Sequence, residues 1–268
     1  QRADLLLQFF LGWLNQRAVL SAQGEKNRGR LLTSGHLLET ASISDRDIQN
    51  LINAWMYSTY ASDPRKHDIK IWFNQLLIKR MDEAGIVGKP LKRSIKKRPK
   101  LLVIHERFSR QHAMYRCYAP MMRTLSEHFD TVAMGDVALL DGTLDEIFDE
   151  VIRLPSPRPT VSAIVTLIQQ QEADLIYYPS LGMSHWTVMV ACLRLAPIQV
   201  MTHGHPATSM LEAMDFVYLP SMKGDLSLVN SEKVIMGPAN VALDAHSDLP
   251  TELPQLLPPS DREVRIAV

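Results

Sequence analysis

The chain's 268 residues suffice for one large domain or two modest ones, and a composition of 46% hydrophobic and 22% charged residues is that of an ordinary soluble globular protein. With 29 basic and 29 acidic side chains the formal net charge is zero, so no general attraction to nucleic acid or anionic lipid is expected. Cys117 and Cys192, the only two cysteines, stand in apolar, helical contexts and read as buried free thiols; neither a disulfide scaffold nor a zinc-like CxxC spacing is present.

The opening run Leu5-Leu6-Leu7-Gln8-Phe9-Phe10-Leu11 reads as a buried helix over residues 4–20. It is too short to span a bilayer and lacks the small-residue cleavage pattern of a signal peptide. The missing initiator Met leads us to expect further residues upstream. Leu31, Leu32, Leu37 and Leu38 suggest a second, shorter helix. Ser44 or Asp45 is a candidate cap for the next, whose apolar face is Ile48, Leu51, Ile52, Trp55 and Met56. After the Asp63-Pro64 turn a further helix turns Ile69, Trp72, Phe73, Leu76 and Leu77 inward. No β-like alternation precedes residue 90, so residues 1–90 are expected to be all-α. Residues 91–99, carrying Lys92, Arg93, Lys96, Lys97 and Arg98, read as a basic linker; no aromatic residues interleave with the charges as in a single-strand nucleic-acid groove.

Beyond Pro99 strand and helix alternate. Apolar strands are expected at 100–106, 131–134, 151–154, 174–179, 198–201 and 216–219. Helices are expected near 112–128, 160–171, 185–195 and 209–214, with a turn or short helix at 143–150. This order predicts an α/β unit over residues 100–240, a mostly parallel sheet covered on both faces. Ligands of such sheets bind at the carboxyl ends of the strands, which selects the loops starting near 106, 135, 179, 202 and 220. Residues 241–268, with Pro250, Pro254, Pro258 and Pro259, read as a proline-rich crossover or a truncated end.

Three of those loops carry candidate chemistry. His105 to His112 leads into a helix with Ser109, His112 and Arg116 near its start, a place where free amides and arginines suit an anion. Pro179 to Trp186 contains Gly182, which permits a tight turn or close approach; GxSxG is absent, so no nucleophile elbow is read here. In Thr202-His203-Gly204-His205-Pro206-Ala207-Thr208 two histidines follow a strand, Pro206 suits a helix start, and one histidine is the candidate acid, base or hydrogen-bond donor. No HExxH or carboxylate cluster accompanies the pair, so no metal is assigned. GxGxxG and GxxxxGK[ST] are both missing, which removes the main support for dinucleotide binding and P-loop hydrolysis.

At these residues the sequence resembles the bacterial HMW1C-type protein glycosyltransferases, relatives of the protein O-GlcNAc transferases. The segments are YSTYASDPRKHDIK at 57–70, HAMYR at 112–116, ADLIYYPSLGM at 173–183, LRLAPIQVMTHGHPAT at 193–208 and DFV at 215–217. Their order and spacing carry the resemblance over about residues 50–220. It implies an all-α region followed by the first Rossmann-like lobe of a GT-B glycosyltransferase, the second lobe being absent from these residues. It further implies an inverting, metal-free transfer of glucose from UDP-glucose, bound mainly by the second lobe, to Asn of Asn-X-Ser/Thr sites in an adhesin-like protein in the cytoplasm. His205 and His203 become the expected catalytic pair, with Ser109, His112, Arg116, Gly182, Gly204 and Thr208 around the substrate. No cofactor, nucleic-acid partner or membrane span is expected, and the 268 residues alone should be inactive or nearly so. The alternatives are an O-linked acceptor with another sugar donor, and a non-catalytic protein-binding relative.

Overall fold

A computed structural model describes residues 2–89, 97–205, 207–219 and 229–237. Most of the basic linker and all of the expected crossover at 241–268 lie outside the described residues, as do Pro206 and residues 220–228, where a further loop is expected.

The first part has only helices, 3₁₀ turns and connecting loops among its described residues. Helix α1, Arg2–Leu14, buries Leu7, Phe10, Leu11 and Leu14 at helical spacing and stops six residues short of the expected end. Helix α2, Ala22–Leu32, starts at Ser21, whose hydroxyl accepts from the Gly24 amide. Leu31 and Leu32 end this helix, whereas Leu37 and Leu38 belong to a separate 3₁₀ turn, Gly35–Leu38. Helix α3, Ile48–Tyr57, buries Leu51, Ile52 and Trp55, following a 3₁₀ turn at Asp45–Asp47 preceded by Ser44. Helix α4, Asp68–Glu83, buries Ile69, Phe73, Leu76, Leu77 and Met81, and also the polar Lys70 and Asn74.

The second part alternates as expected. Its strands are β1 (Lys100–Ile104), β2 (Asp130–Asp136), β3 (Glu150–Leu154), β4 (Leu175–Tyr178), β5 (Ile198–Thr202), β6 (Phe216–Leu219) and β7 (Lys233–Met236). Its helices are α5 (Ala113–His128), α6 (Val161–Gln170) and α7 (His185–Ala191). The strands form one sheet in the order β3-β2-β1-β4-β5-β6-β7, with every pairing parallel. The direction of winding reverses between β1 and β4, so a crevice opens beyond their carboxyl ends.

Period-two alternation on the central strand divides the core. Leu102 and Ile104 face a cluster continuous with the helical region, whereas Leu101 and Val103 face Met114, Tyr115, Ala119 and Met122 of α5. The helical region therefore packs as part of one face of the sheet.

Two further expectations fail within the described residues. Cys117 is exposed on α5, and only Cys192 is buried. Residues Ser209–Met214 form no helix: Met210 has φ 55°, which an α-helix does not admit, and side chains from α4 take the carbonyls of residues 208–210. No described helix is long and apolar enough to cross a membrane.

Candidate functional site

At the switch point the loop after β1 is committed to structure. Glu106, buried, accepts hydrogen bonds from Ser180 Oγ at 2.8 Å, from the Gly182, Met183 and Ser184 amides at 2.9 Å each, and from Thr187 Oγ1 at 2.6 Å. A carboxylate of the chain itself thus occupies the start of α7, where a bound anion would otherwise be favoured. His105 beside it is fully buried between Phe108 and Phe148, at ring-centroid separations of 4.6 and 5.6 Å; burial pulls its pKa down to about 3, so the ring is neutral.

The loop after β5 lies against this one. Gly204 leaves room where any Cβ would come within 2.5 Å of the Pro179 carbonyl oxygen, 2.6 Å of Ser180 Cβ and 2.9 Å of Met114 Cε. Gly182 has φ 124°, and a Cβ there would stand 2.9 Å from the Trp55 ring and 3.7 Å from His205. These two glycines allow the ends of β4 and β5, the start of α5 and helix α3 to meet around the histidines.

The two histidines point to different surroundings. His205 is 7% exposed, bonded through Nε2 to Thr59 Oγ1 at 3.0 Å and edge-on to Tyr60 at 6.2 Å. Burial pulls its pKa down to about 4; Lys70 adds to the effect, the Met56 backbone opposes it and His203 adds slightly. His203 is half-buried and lines an open cleft of about 610 Å³, with Nε2 at 3.1 Å from Asn230 Oδ1. Its pKa is lowered chiefly by burial, against the Asn230 contact and the Glu232 carboxylate, and with help from Lys70.

The cleft runs between the start of α4 and the edge of the sheet, with Lys66, His67, His203, Thr208, Asn230 and Ser231 on its walls. Lys66 donates to the Thr59 and Ala61 carbonyls at 2.8 and 3.1 Å. His67 is pulled down to about 3, first by burial and then by Lys70, Lys66, His205 and His203. Thr208 hydroxyl bonds to Glu232 and to Ser231 Oγ at 2.8 Å each. The chemistry on offer is that of neutral imidazoles and hydroxyls beside two lysines, with the Glu232 carboxylate opposing the lysine charge.

Of the expected residues, His203, His205, Gly182, Gly204 and Thr208 come together around the end of β5. His112 serves as the α5 cap, its Nδ1 accepting from the Met114 amide at 3.2 Å. Arg116 donates to the Gln111 carbonyl at 3.0 Å, and among the described residues neither it nor Ser109 is hydrogen-bonded to the histidine pair. Thr59, Lys66, His67, Lys70 and Glu232 were not expected as site residues. For Lys70 and Asn74 a signal existed: they fall in phase with Ile69, Phe73 and Leu77 on the buried face of α4.

Residues 1–81 match the family model HMW1 domain 2. Over 170 residues the chain is 27% identical to a UDP-glucose:protein N-beta-glucosyltransferase of Actinobacillus pleuropneumoniae serotype 5b, and 25% identical to the protein of that name from serotype 7. Over these residues the chain is similar to the HMW1 family and to these transferases. Each alignment takes in 62% of this chain but only 27% of the relative, so the chain spans about a quarter of the length of the relatives it matches. The fold is also that of a mutant O-GlcNAc transferase of Thermobaculum terrenum, with a TM-score of 0.55 and 16% identity over 87% of this chain and 48% of that one. The helical region followed by a parallel sheet corresponds to the first lobe of a GT-B glycosyltransferase.

Proposed function

We propose that this chain is the acceptor-side part of an inverting glycosyltransferase that moves glucose from UDP-glucose to the Asn side chain of Asn-X-Ser/Thr sites in an adhesin-like protein. The observation that carries the reading is His203. It stands at the carboxyl end of β5, faces the cleft and belongs to the longest segment that resembles the HMW1C-type transferases. Such a transferase has the amide nitrogen attack the anomeric carbon while the bond to the diphosphate breaks; the nitrogen loses a proton and UDP departs.

An amide is a poor nucleophile, so positioning and polarisation supply much of the rate. His203, held neutral by burial, suits the role of hydrogen-bond acceptor toward the acceptor side chain. His205, bonded to Thr59, sets the loop that presents it. Thr208 lines the cleft, Gly182 and Gly204 give the loops room behind it, and Ser109, His112 and Arg116 at the start of α5 are assigned to the substrate without contact to the histidine pair. The nucleotide is assigned mainly to a second lobe, outside these 268 residues, and the reaction to the cytoplasm. No metal has a part in this scheme.

The test incubates the full-length protein and the 268-residue chain separately with UDP-glucose and an Asn-X-Thr peptide, followed by peptide mass and linkage. A gain of one hexose on Asn with the full-length protein alone is the expected result. No transfer by the full-length protein would remove the glucose N-transfer reading. Transfer by the shorter chain would overturn the assignment of the donor to a second lobe.

A further inference from the structure

Lys70 is fully buried, at an end of α4 that packs under the loop after β5. Its ammonium donates to the Thr208 carbonyl at 2.7 Å and lies 3.7 Å from the centroid of the Trp55 ring. One helical turn later Asn74 donates to the Ser209 and Met210 carbonyls at 3.2 and 2.8 Å, while its own oxygen accepts from Trp55 Nε1 at 3.0 Å. Three successive carbonyls of an irregular segment are thus satisfied by side chains of one helix.

Packing alone does not explain a lysine here. Desolvating an ammonium is costly, and a methionine of similar length fills the same space without that cost. What lysine adds is a donor and a charge. Thr208, whose carbonyl it holds, donates through its hydroxyl to Glu232, and the adjoining Ser209 amide donates to the same carboxylate at 2.8 Å. Glu232 in turn adjoins Ser231 and Asn230, and Asn230 meets the His203 ring. Hydrogen bonds from Lys70 through Thr208 to Glu232, and the chain itself from Glu232 back to Asn230, therefore link the buried lysine to the imidazole on the cleft.

We propose that Lys70 is a positioning residue for His203, fixing through Thr208 and Glu232 the two chain segments that hold the imidazole at the cleft. This rests on the transferase reading of that cleft. Several groups face the ammonium besides the Trp55 ring of α3 and Asn74 of its own helix. Lys66 and His67 lie just before α4, His203 and His205 follow β5, and Glu232 precedes β7; among them only Glu232 is an acid. Burial pulls the Lys70 pKa down to about 7, with Glu232 opposing and Lys66 adding. While protonated, Lys70 disfavours a second positive charge on His203, so its removal makes His203 easier to protonate.

The experiment uses the full-length protein as wild type, Lys70→Met and Lys70→Arg. It measures kcat and KM for hexose transfer to an Asn-X-Thr peptide, and the titration of the His203 ring by NMR with isotope-labelled histidine. Lys70→Met is expected to fold and to lose about 100-fold in kcat, with KM changed by less than about threefold. Its His203 midpoint moves to higher pH. Lys70→Arg keeps a cation and a donor, and recovers most of the kcat and the wild-type midpoint. If Lys70→Met fails to fold, Lys70→Gln, which removes the charge and keeps a donor, is measured the same way and raises the His203 midpoint. The proposal is overturned if Lys70→Met leaves kcat and the His203 midpoint unchanged, or if Lys70→Arg fails equally and both losses only track the loss of folded protein. Should the wild type transfer no hexose, the transferase reading falls; the His203 titration in the same proteins still decides whether Lys70 acts on that ring.

Discussion

Glu106 and Gly204 serve the site without chemistry of their own. Glu106 gathers three amides and the Ser180 hydroxyl from the loop after β4, and the Thr187 hydroxyl from α7; the loop donors lose this acceptor if the carboxylate is removed, whereas Thr187 keeps the Ser184 carbonyl. A buried donor left unpaired costs about 1–3 kcal/mol, so Glu106→Ala is expected to destabilise the protein by about 3 kcal/mol or more, and Glu106→Gln by less, as read from urea unfolding. Gly204 is a steric case: a methyl group would meet the Pro179 carbonyl, which is backbone and has no rotamer by which to yield. Gly204→Ala should lower stability and transfer together, and an unaltered melting temperature would show that the loop has room that these contacts deny. The glycines were legible in the sequence because each stood in a loop beyond a strand. The acceptor role of Glu106 was not, since a single acid after a strand looks the same whether it faces water or five donors.

At the scale of elements, apolar runs and helical spacing located α1, α3, α4, α5, α6 and the first six strands. Failures came where polarity masked structure. Helix α2 buries only Arg28, Gly29 and Leu32, and so shows almost no apolar stripe. Strand β7 lies at the sheet edge with mostly exposed residues, so it shows no inward face. The segment expected as a helix at 209–214 is instead held open by α4, a tertiary choice that local sequence does not record. Asn74→Ala removes the donor for two of its carbonyls and the acceptor for Trp55 Nε1, with an expected loss of about 2–4 kcal/mol in chemical denaturation. A variant as stable as wild type would mean that the α4 contact does not fix this segment.

For the molecule as a whole, one apolar cluster joins α1, α3 and α4 to the inner residues of β1, β4, α6 and α7. Helical region and sheet should unfold together, with tryptophan fluorescence and far-ultraviolet circular dichroism giving coincident transitions; separate midpoints would show two independent units. Acid should weaken the fold in a defined window. His105 and His205 have folded pKa values of about 3 and about 4, below the ordinary 6.5, so the unfolded chain takes up protons first. Their contribution is whole above pH 6.5 and declines as pH falls from there toward 4 and 3, by about 1.4 kcal/mol for each tenfold difference in proton affinity. His105→Phe should flatten that decline in unfolding measured from pH 7 to 4.

The most direct test of the cleft as the seat of transfer is the rate of glucose transfer to an Asn-X-Thr peptide by the full-length protein carrying His203→Ala, compared with wild type at equal folded concentration. A fall in kcat of about 100-fold or more, with the fold intact, is the expected result for a group acting directly on the acceptor. A rate within about twofold of wild type would place the chemistry elsewhere and contradict the assignment of His203.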